Sequence, residues 1–378
     1  MKRKNPFVYG EVVRRPQFVD RAEEIERLQR DLADAQKVFL LSPRRFGKSS
    51  LVGVLFEQLE GEGIRTVTIT VGSYSSYAQF LEKFAEKVIR AGGPWEKVKK
   101  WVGRFVEYVK PQAGLDLQTG EITLSFGRGS DFKPGPVAPE VFALPGLMAE
   151  KGNFQMAVCL DEFQQVTQFD GASVEGALRS AVQQQRKVGY IFAGSQPSLM
   201  KEMLAPHRPF HKSGPSYFLE KISRTDWEHF IRAKFRERER SLTADALEQL
   251  FSVSDLIPYD VQRIAHELWD YAELGSLKTL DRGDIDQVVR QLSAGQSDYY
   301  ERVWEQLTQR QRAVLQALAA RGTSALYSEA VRNEYRLGPA SSVRTALASL
   351  DGQDLIDRYK GSYFFVDPIF AVWIRDLV

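Results

Sequence analysis

The fold is decided by one stretch near the amino terminus, Val38-Phe39-Leu40-Leu41-Ser42-Pro43-Arg44-Arg45-Phe46-Gly47-Lys48-Ser49-Ser50. Its first four residues are all apolar and predict a buried strand, and the pattern of Ser49–Leu59 predicts an amphipathic helix. A strand, a tight loop ending in Gly-Lys-Ser and a helix form the context that a phosphate-binding loop requires. We therefore expect the backbone N–H groups of the loop and of the helix N-terminus to bind phosphates.

The residue types in this loop suit a nucleotide and its metal ion. Gly47 permits close approach of the backbone, Lys48 supplies a charge to the β- and γ-phosphates, and Ser49 offers a hydroxyl to Mg²⁺. Ser42 stands where the usual pattern has its first Gly. The residues predicted to bind the nucleotide here are Pro43, Arg44, Arg45, Phe46, Gly47, Lys48, Ser49 and Ser50.

A second apolar run, Met156–Leu160, leads into two carboxylates, Asp161 and Glu162. At the end of a strand beside the phosphate loop, Asp161 is predicted to hold Mg²⁺ through water. Glu162 is predicted to orient and polarise the water that attacks the γ-phosphate. The combination with Gly-Lys-Ser favours hydrolysis of the nucleotide over binding alone.

Two further polar positions are candidates for catalysis. The strand Tyr190–Ala193 ends in Gly194-Ser195-Gln196, where Gln196, or else Ser195, could sense the γ-phosphate; the alternative is a capped turn into a helix. Arg208 could neutralise transition-state charge, in cis or from a neighbouring subunit. The alternative for Arg208 is an ordinary surface charge.

Strands alternate with helices over residues 1–220. A fourth strand is predicted at Thr66–Val71, and helices are predicted at Arg21–Ala33, Tyr77–Ala91 and Val174–Gln185. This alternation predicts an α/β fold of the P-loop NTPase type, a parallel sheet with helices on both faces. Residues 92–139 break the rhythm and are interpreted as an insertion. It contains a helix with Trp and Lys, a hairpin within Leu115–Leu124 and a Gly/Pro-rich loop, Gly127–Pro139.

After about Leu219 we expect no more strands until the last domain. Residues 221–292 are predicted to form an all-α lid, and residues 293–378 a winged helix of three short helices and a two-stranded wing. The predicted helices are Asp226–Glu239, Thr243–Phe251, Pro258–Tyr271, Asp281–Leu292, Glu305–Ala320, Tyr327–Tyr335 and Ser341–Leu350. The predicted wing strands are Leu355–Tyr359 and Tyr363–Val366.

Composition excludes several classes of protein. The 378 residues include 51 Lys and Arg, 49 Asp and Glu and one Cys, so the net charge is +2 and no intramolecular disulfide can form. Near-neutral charge argues against binding to nucleic acid mainly by bulk electrostatics. No apolar signal-peptide run follows the basic start, and no stretch reaches the roughly 18 apolar residues of a membrane helix. We expect a cytoplasmic protein without a membrane partner, with Mg²⁺ as its only metal.

The chain resembles the archaeal-type ATPase family, a STAND-like branch of the AAA+ superfamily, over essentially its whole length. The most specific match is the loop Ser42–Ser50. The other matching segments are Asn5-Pro6-Phe7 with Gly10, Phe18-Val19-Asp20-Arg21 with Glu24, Asp161-Glu162-Phe163, Gly194-Ser195-Gln196, Arg208-Pro209-Phe210 and Asp367-Pro368-Ile369-Phe370 with Trp373.

Further assignments follow from this resemblance. The segment Asn5–Arg21, with Phe7 and Arg21, would lie near the adenine, and the ligands would be ATP and ADP. The helical region would cover the nucleotide, with Pro258 and Tyr259 in the position of the family's Gly-x-Pro motif. The sequence departs from that motif, because Leu256-Ile257 precede Pro258 where a Gly is usual.

The winged helix leaves two interpretations open. Its third predicted helix buries Val343, Leu347 and Leu350 and presents Arg344 as the one cation of its outer face. From residue 295 onward the chain has ten Lys and Arg and ten Asp and Glu, whereas a DNA reader usually has a clearly basic face. The module could therefore bind DNA, or it could pack on the ATPase core or on a partner protein.

These observations lead to one hypothesis with two rivals. The chain is predicted to be an Mg²⁺-dependent ATPase that hydrolyses ATP slowly and acts as a nucleotide-driven conformational switch. It would have an unknown protein partner and could form a nucleotide-dependent homo-oligomer. The first rival is an ATP-controlled DNA-binding protein, such as a loader, repair or regulatory factor. The second is an interaction scaffold with a vestigial nucleotide site.

Overall fold

A computed structural model describes residues 5–93, 112–115, 122–125, 134–169 and 172–377. Contacts between residues divide the chain into two units. The sheet unit consists of Arg21–Ser42 and Lys48–Leu219, and the helical unit consists of Met1–Asp20, Pro43–Gly47 and Glu220–Val378. The middle of the predicted phosphate loop is thus grouped with the helical unit, although its two flanks belong to the sheet unit.

The sheet unit has a parallel sheet, as the sequence predicts, with five strands where four were predicted. Its strands are β1 (Lys37–Leu41), β2 (Arg65–Thr70), β5 (Met156–Asp161), β6 (Val188–Gly194) and β7 (Ser216–Phe218); a separate antiparallel hairpin is formed by β3 (Gln112–Leu115) and β4 (Ile122–Ser125). The strand order is β2-β5-β6-β1-β7, and every neighbouring pair is parallel. The edge strand β7 was not predicted, because its three residues contain no buried apolar run.

Helices cover both faces of the sheet. They are α1 (Ala22–Ala33), α2 (Lys48–Gly61), α3 (Tyr77–Ala91), α4 (Pro134–Gly152), α5 (Ala172–Val182) and α6 (Pro197–Met203). Phe39, Val158 and Phe192 share one core with residues of α3, α4 and α5. The alternate strand residues Val38 and Cys159 face the other way and are also buried. Burial on both faces explains why these strands are continuously apolar.

The insertion agrees with its prediction only in part. The hairpin strands pair Leu115 with Ile122, whereas the predicted hairpin turn and the helix with Trp and Lys lie outside the described residues. The prediction of a loop over Gly127–Pro139 is wrong from Pro134 onward, where α4 begins. A proline costs little at a helix start because its missing N–H has no partner there. Burial of the helix face that includes Phe142 outweighs the prolines farther along.

The first part of the helical unit is the predicted all-α region. Its helices are α7 (Arg224–Arg236), α8 (Ala244–Ser254), α9 (Pro258–Leu274) and α10 (Arg282–Ala294). The side chains of Ser223, Thr243 and Asp281 cap the N-termini of α7, α8 and α10. The expectation that strands stop after Leu219 is wrong in one detail. The two-residue strands β8 (Ser241–Leu242) and β9 (Thr279–Leu280) pair in parallel, and they are too short to leave a periodic pattern.

The predicted winged helix is present, but two of its helices, Ser297–Gln306 and Pro368–Asp376, were not predicted. It comprises α11 (Ser297–Gln306), α12 (Gln309–Arg321), α13 (Glu329–Glu334), α14 (Ala340–Gly352), β10 (Ile356–Tyr359), β11 (Ser362–Phe365) and α15 (Pro368–Asp376). The predicted single helix Glu305–Ala320 is divided, because Thr308 forms a capping box with Gln311 and starts α12. In α14, Val343, Leu347 and Leu350 are buried and Arg344 is exposed, as expected. Within the described ranges, every helix is too short or too polar to cross a membrane.

Candidate nucleotide-binding site

The strand order brings two of the predicted polar segments together. In the sheet, β6 lies between β1 and β5, so the carboxyl ends of these three parallel strands meet at one edge. Asp161 ends β5, Gly194 ends β6, and β1 leads into the loop before Lys48. Ligands of open parallel sheets bind at this edge, outside the carboxyl ends of the strands.

Lys48 connects the loop with the carboxylates of β5. Its ammonium donates to the Asp161 carboxylate and, at 3.0 Å, to Oε1 of Glu162, while the lysine itself is buried. Burial alone would lower the pKa of Lys48, but the two carboxylates outweigh it and raise the pKa. Lys48 is therefore held as a cation at the sheet edge, as a phosphate-binding lysine must be.

Glu162 is fixed by three donors. Its Oε2 accepts hydrogen bonds from Gln164 Nε2 and from Ser195 Oγ, both at 2.6 Å, while Oε1 faces Lys48. Burial would raise the pKa of Glu162, but Lys48, Ser195 and Gln164 together lower it. The carboxylate is thus ionised at neutral pH, with one oxygen fixed by neutral donors and the other paired with a cation.

Gln164 was not identified as a site residue from the sequence. It is buried, and its amide lies beside Gly194, where a Cβ would meet Gln164 Oε1 at 2.7 Å and Met200 at 2.4 Å. Gly194 is therefore needed for this close approach of β6 to the turn after β5. The only signal in the sequence was a polar residue directly behind the two carboxylates, which is too common to be diagnostic.

The oxygen ligands present fit a magnesium ion. Ser49 is exposed in the first turn of α2, and Asp161 is partly accessible, with Oδ1 accepting the Glu162 N–H at 3.0 Å. Hydroxyl and carboxylate oxygens are the ligands that Mg²⁺ prefers, with water and phosphate completing its shell. Ser50, also predicted to bind the nucleotide, lies in the same turn and is partly buried.

Of the two residues predicted to sense the γ-phosphate, Ser195 contacts Glu162. The preferred candidate, Gln196, is the next residue in the chain. Gln196 is the N-cap residue of α6, without a side-chain capping hydrogen bond, and is partly buried.

Arg208 forms an ion pair with Glu175 of α5, whose side chain is fully buried. Burial raises the pKa of Glu175 even though Arg208 opposes this change. In this structure Arg208 thus neutralises a buried carboxylate of its own unit.

The residues assigned by family resemblance are distributed over both units. In the sheet unit, Arg21 is buried and its Nη1 lies 2.9 Å from Oε1 of Glu24. In the helical unit, Phe7 is buried in the core that α7 and α9 share, its ring centroid 5.6 Å from that of Phe235. Pro258 is the first residue of α9, and the ring of Tyr259 lies 4.7 Å from the Arg45 guanidinium carbon. Their contact with adenine stays a prediction.

Three loop residues predicted to bind nucleotide, Arg44, Arg45 and Phe46, belong to the helical unit. Arg44 and Arg45 are partly buried and Phe46 is fully buried. Pro43 precedes them and is buried, and Gly47 has a φ of +87°, a backbone conformation that glycine adopts without strain. A flexible residue is thus present where the backbone must approach the phosphates.

Comparison with known proteins supports this description of the fold. A family model described as a probable winged helix domain matches residues 298–376. The Walker-type ATPase of Pyrococcus abyssi is similar with a TM-score of 0.65 and 18% identity, over 98% of this chain and 99% of that chain. The Aeropyrum pernix ORC2 protein in its ADPNP–ADP complexes has a TM-score of 0.55 and 12% identity, over 100% and 98%.

A third similar structure is the Aeropyrum pernix ORC1 protein in complex with DNA, with a TM-score of 0.52 and 12% identity, over 96% of this chain and 95% of that chain. No curated protein matches the sequence. The similarity extends over nearly the full length of each structure, but identities this low establish the fold alone. The chain has the fold of Walker-type ATPases that carry a winged helix, in agreement with its resemblance to the archaeal-type ATPases.

Proposed function

We propose that this chain binds ATP with Mg²⁺ at the loop Ser42–Ser50, hydrolyses it slowly, and uses the nucleotide as a conformational switch. The observation that carries the proposal is the contact of Lys48 with both Asp161 and Glu162. A loop lysine, a metal-binding carboxylate and a general base are the parts that P-loop hydrolases share. The similarity to Walker-type ATPases supports the same assignment.

Lys48 has a double role in this mechanism. Without nucleotide it neutralises the two carboxylates, and with nucleotide its ammonium binds the β- and γ-phosphate oxygens instead. Ser49 and Asp161 would hold Mg²⁺, which when bound would neutralise phosphate charge. Transfer of Lys48 to the phosphates releases Oε1 of Glu162, since that oxygen is the one that Lys48 contacts.

Glu162 then acts on the attacking water. Its Oε2 stays fixed by Gln164 and Ser195, so Oε1 can accept a proton from water in a defined orientation. Ser195 and Gln164 keep this carboxylate hydrogen-bonded after Lys48 has moved to the phosphates.

Nucleotide-dependent thermal stabilisation tests this proposal. Purified protein with Mg²⁺ and ATP should unfold at a higher temperature than without nucleotide, because a ligand that binds only the folded state stabilises it. Lys48→Ala should abolish that shift. The matched control is Lys83→Ala, which breaks the partly buried ion pair of Lys83 with Glu86 in α3, away from the loop. A wild type without a shift, or Lys48→Ala with a full shift, would contradict the proposal, and a comparison with GTP tests the preference for adenine.

A second candidate function is ATP-controlled binding of DNA by the winged helix. It is favoured by one similar structure, ORC1, which was determined in complex with DNA. The exposed residues of α14 include Arg344 and Thr345, on the helix that enters the major groove in DNA-binding winged helices. A gel shift over a salt series tests this second function. A steep loss of binding with increasing salt supports DNA binding, and the absence of binding at low salt excludes this function.

We infer in addition that the switch acts through a protein partner or through self-association. A slow ATPase produces an effect only if another surface distinguishes its nucleotide states. Size-exclusion chromatography with ATP and with ADP should give different elution volumes if nucleotide controls a homo-oligomer. Identical elution volumes in both nucleotide states would argue against self-association. A separate protein would then be the partner that responds to the switch.

A further inference from the structure

Arg44, Arg45 and Phe46, at the centre of the loop, each contact other residues of the helical unit to which they belong. Arg44 forms an ion pair with Asp354, which lies between α14 and β10 of the winged helix. Both side chains are partly exposed, at 33% and 44%, so the pair is screened by water and contributes modestly. It nevertheless joins the loop that precedes Lys48 to the winged helix, about 310 residues later in the chain.

Phe46 is held by the wing. Its ring is fully buried, with centroids 5.4 Å from Tyr359 of β10 and 5.9 Å from Phe364 of β11. Tyr359 is fixed in turn, because its hydroxyl donates to the Glu220 carboxylate. Lys360 at the wing turn lies 2.8 Å from the same carboxylate. The wing is thus packed against Phe46 and anchored beside it.

Arg45 lies beside two carboxyl groups from separate parts of the helical unit. Its Nη1 lies 3.8 Å from Oδ1 of Asp260, in the first turn of α9, and 3.9 Å from Oδ2 of Asp367, the N-cap residue of α15. These distances are too long for hydrogen bonds, and Arg45 Nη1 and both oxygens of Asp260 are buried without a hydrogen-bond partner. The backbone oxygen of Arg45 accepts the Tyr259 N–H at 3.3 Å. The backbone hydrogen bond from Tyr259 and the nearby Asp367 carboxylate restrain this residue.

The loop needs such support because of its backbone conformation. Arg45 has a φ of +66°, a left-handed conformation that costs free energy for a residue with a Cβ. The amides of the loop can bind phosphates only if this conformation persists. The contacts of the Arg44 and Phe46 side chains, on either side of Arg45, restrain this backbone conformation. They do so without using the backbone amides of the loop.

We propose that the winged helix supplies positioning residues to the phosphate-binding loop, chiefly Asp354 through Arg44 and Tyr359 through Phe46. The proposal rests on the proposed nucleotide site and adds that its affinity depends on the winged helix. Because coupling is reciprocal, nucleotide at the loop strengthens docking of the wing by the same factor. The winged helix therefore senses the nucleotide through loop side chains.

Nucleotide affinity of winged-helix variants tests the proposal in the full-length chain. Asp354→Asn keeps a residue that tolerates the positive φ of this position but removes the charge that Arg44 contacts. We expect its Kd for a fluorescent ATP analogue to rise about two- to fivefold, the range for a partly exposed ion pair. Tyr359→Ala should raise the Kd about three- to tenfold, whereas Tyr359→Phe, which keeps the ring on Phe46, should stay within about twofold of the wild type.

Three controls separate positioning from general damage. Glu334→Gln removes an equally charged side chain from the winged helix, paired with Arg321 at 2.9 Å, and should leave the Kd unchanged. The unfolding temperature of Asp354→Asn without nucleotide should equal that of the wild type. In steady-state kinetics, Asp354→Asn should raise KM and leave kcat unchanged, because Glu162 is untouched.

The outcomes are distinct. If the wild type binds ATP and the Kd of Asp354→Asn and Tyr359→Ala equals the wild-type value, the positioning role is wrong and the nucleotide site stands. The positioning role is equally wrong if Glu334→Gln weakens binding as much as Asp354→Asn. If the wild type binds no nucleotide, the proposed function fails, and this proposal fails with it. Slower hydrogen exchange of Ile356–Phe365 with bound nucleotide, lost in Asp354→Asn, would support it.

Discussion

Replacing Glu162 with Gln separates binding of the nucleotide from its hydrolysis. The amide has nearly the shape of the carboxylate, and its oxygen can still accept hydrogen bonds from Ser195 and Gln164. Its NH₂ group then faces the Lys48 ammonium in place of an oxygen that lies 3.0 Å from it. Two donors oppose each other there, so Lys48 should pair with Asp161 alone.

The size of both effects follows from these contacts. The ion pair is lost and two charge-assisted hydrogen bonds become neutral, so the free energy of unfolding should fall by about 1–3 kcal/mol. Glu162 is 28% exposed, and solvent screening favours the lower half of this range. Loss of a general base lowers kcat about 10²- to 10⁴-fold, or about 2.7–5.5 kcal/mol in the activation barrier. The Kd for ATP should stay within about threefold, since Lys48 remains charged.

Phosphate release at saturating ATP measures the turnover, and fluorescence titration measures the Kd. The matched control is Glu86→Gln, which also removes a carboxylate paired with a lysine, Lys83 at 2.7 Å, and should keep wild-type turnover. Turnover of Glu162→Gln equal to that of the wild type would refute the role of Glu162 as base. A Kd that rises more than tenfold would assign Glu162 to binding of the nucleotide instead.

Three further substitutions give separate results. Ser195→Ala should lower kcat about tenfold with little change in KM, and it should shift the acid limb of the pH–rate profile upward because Ser195 lowers the pKa of Glu162. If the acid limb of the pH–rate profile does not shift, Ser195 does not control the protonation of Glu162. Burial raises the pKa of Asp260 to about 8, so the folded state retains a proton that the unfolded state loses above about pH 4. The contribution of Asp260 to wild-type stability should therefore fall between about pH 4 and pH 8. Relative to the wild type, Asp260→Asn should gain thermal stability as pH rises from 5 to 8, and a constant difference in unfolding temperature would contradict this. Arg208→Ala should cost about 3 kcal/mol in urea unfolding, because it leaves the carboxylate of Glu175 buried without its cation. An unchanged urea midpoint with a strongly reduced kcat would favour a catalytic role for Arg208.

The central part of the site was predictable because it depends on strand ends. Lys48 follows one parallel strand, Asp161 ends another, and parallel strands place their carboxyl ends at one edge. Residues at that edge lie close together independently of the loop conformations. Hydrophobic periodicity and a short motif are therefore sufficient to predict this part of the site. The same reasoning covers the sheet itself, whose buried strands are continuously apolar.

Contacts between distant segments were not predictable in this way. Gln164 reaches Glu162 only because Gly194 leaves room beside it, which no local pattern encodes. The strand β7 depends on pairing with β1 and carries no apolar run of its own. Helix α4 contains Pro139 and Pro145, and only burial of its face explains why it is helical.

The phosphate-loop motif specifies only part of what this segment of the chain contacts. The pattern specifies Gly47 and Lys48, because the backbone and one charge bind the phosphates, and it leaves the preceding side chains undefined. In this chain those undefined positions, Arg44 to Phe46, are the ones that contact the all-α region and the winged helix. In the proposed site, the backbone of this short segment would bind the nucleotide while its side chains contact the winged helix. A change in loop conformation on nucleotide binding is expected to alter these side-chain contacts as well, because the same residues carry both. Coupling between the nucleotide and the winged helix is thus expected from the covalent continuity of the loop.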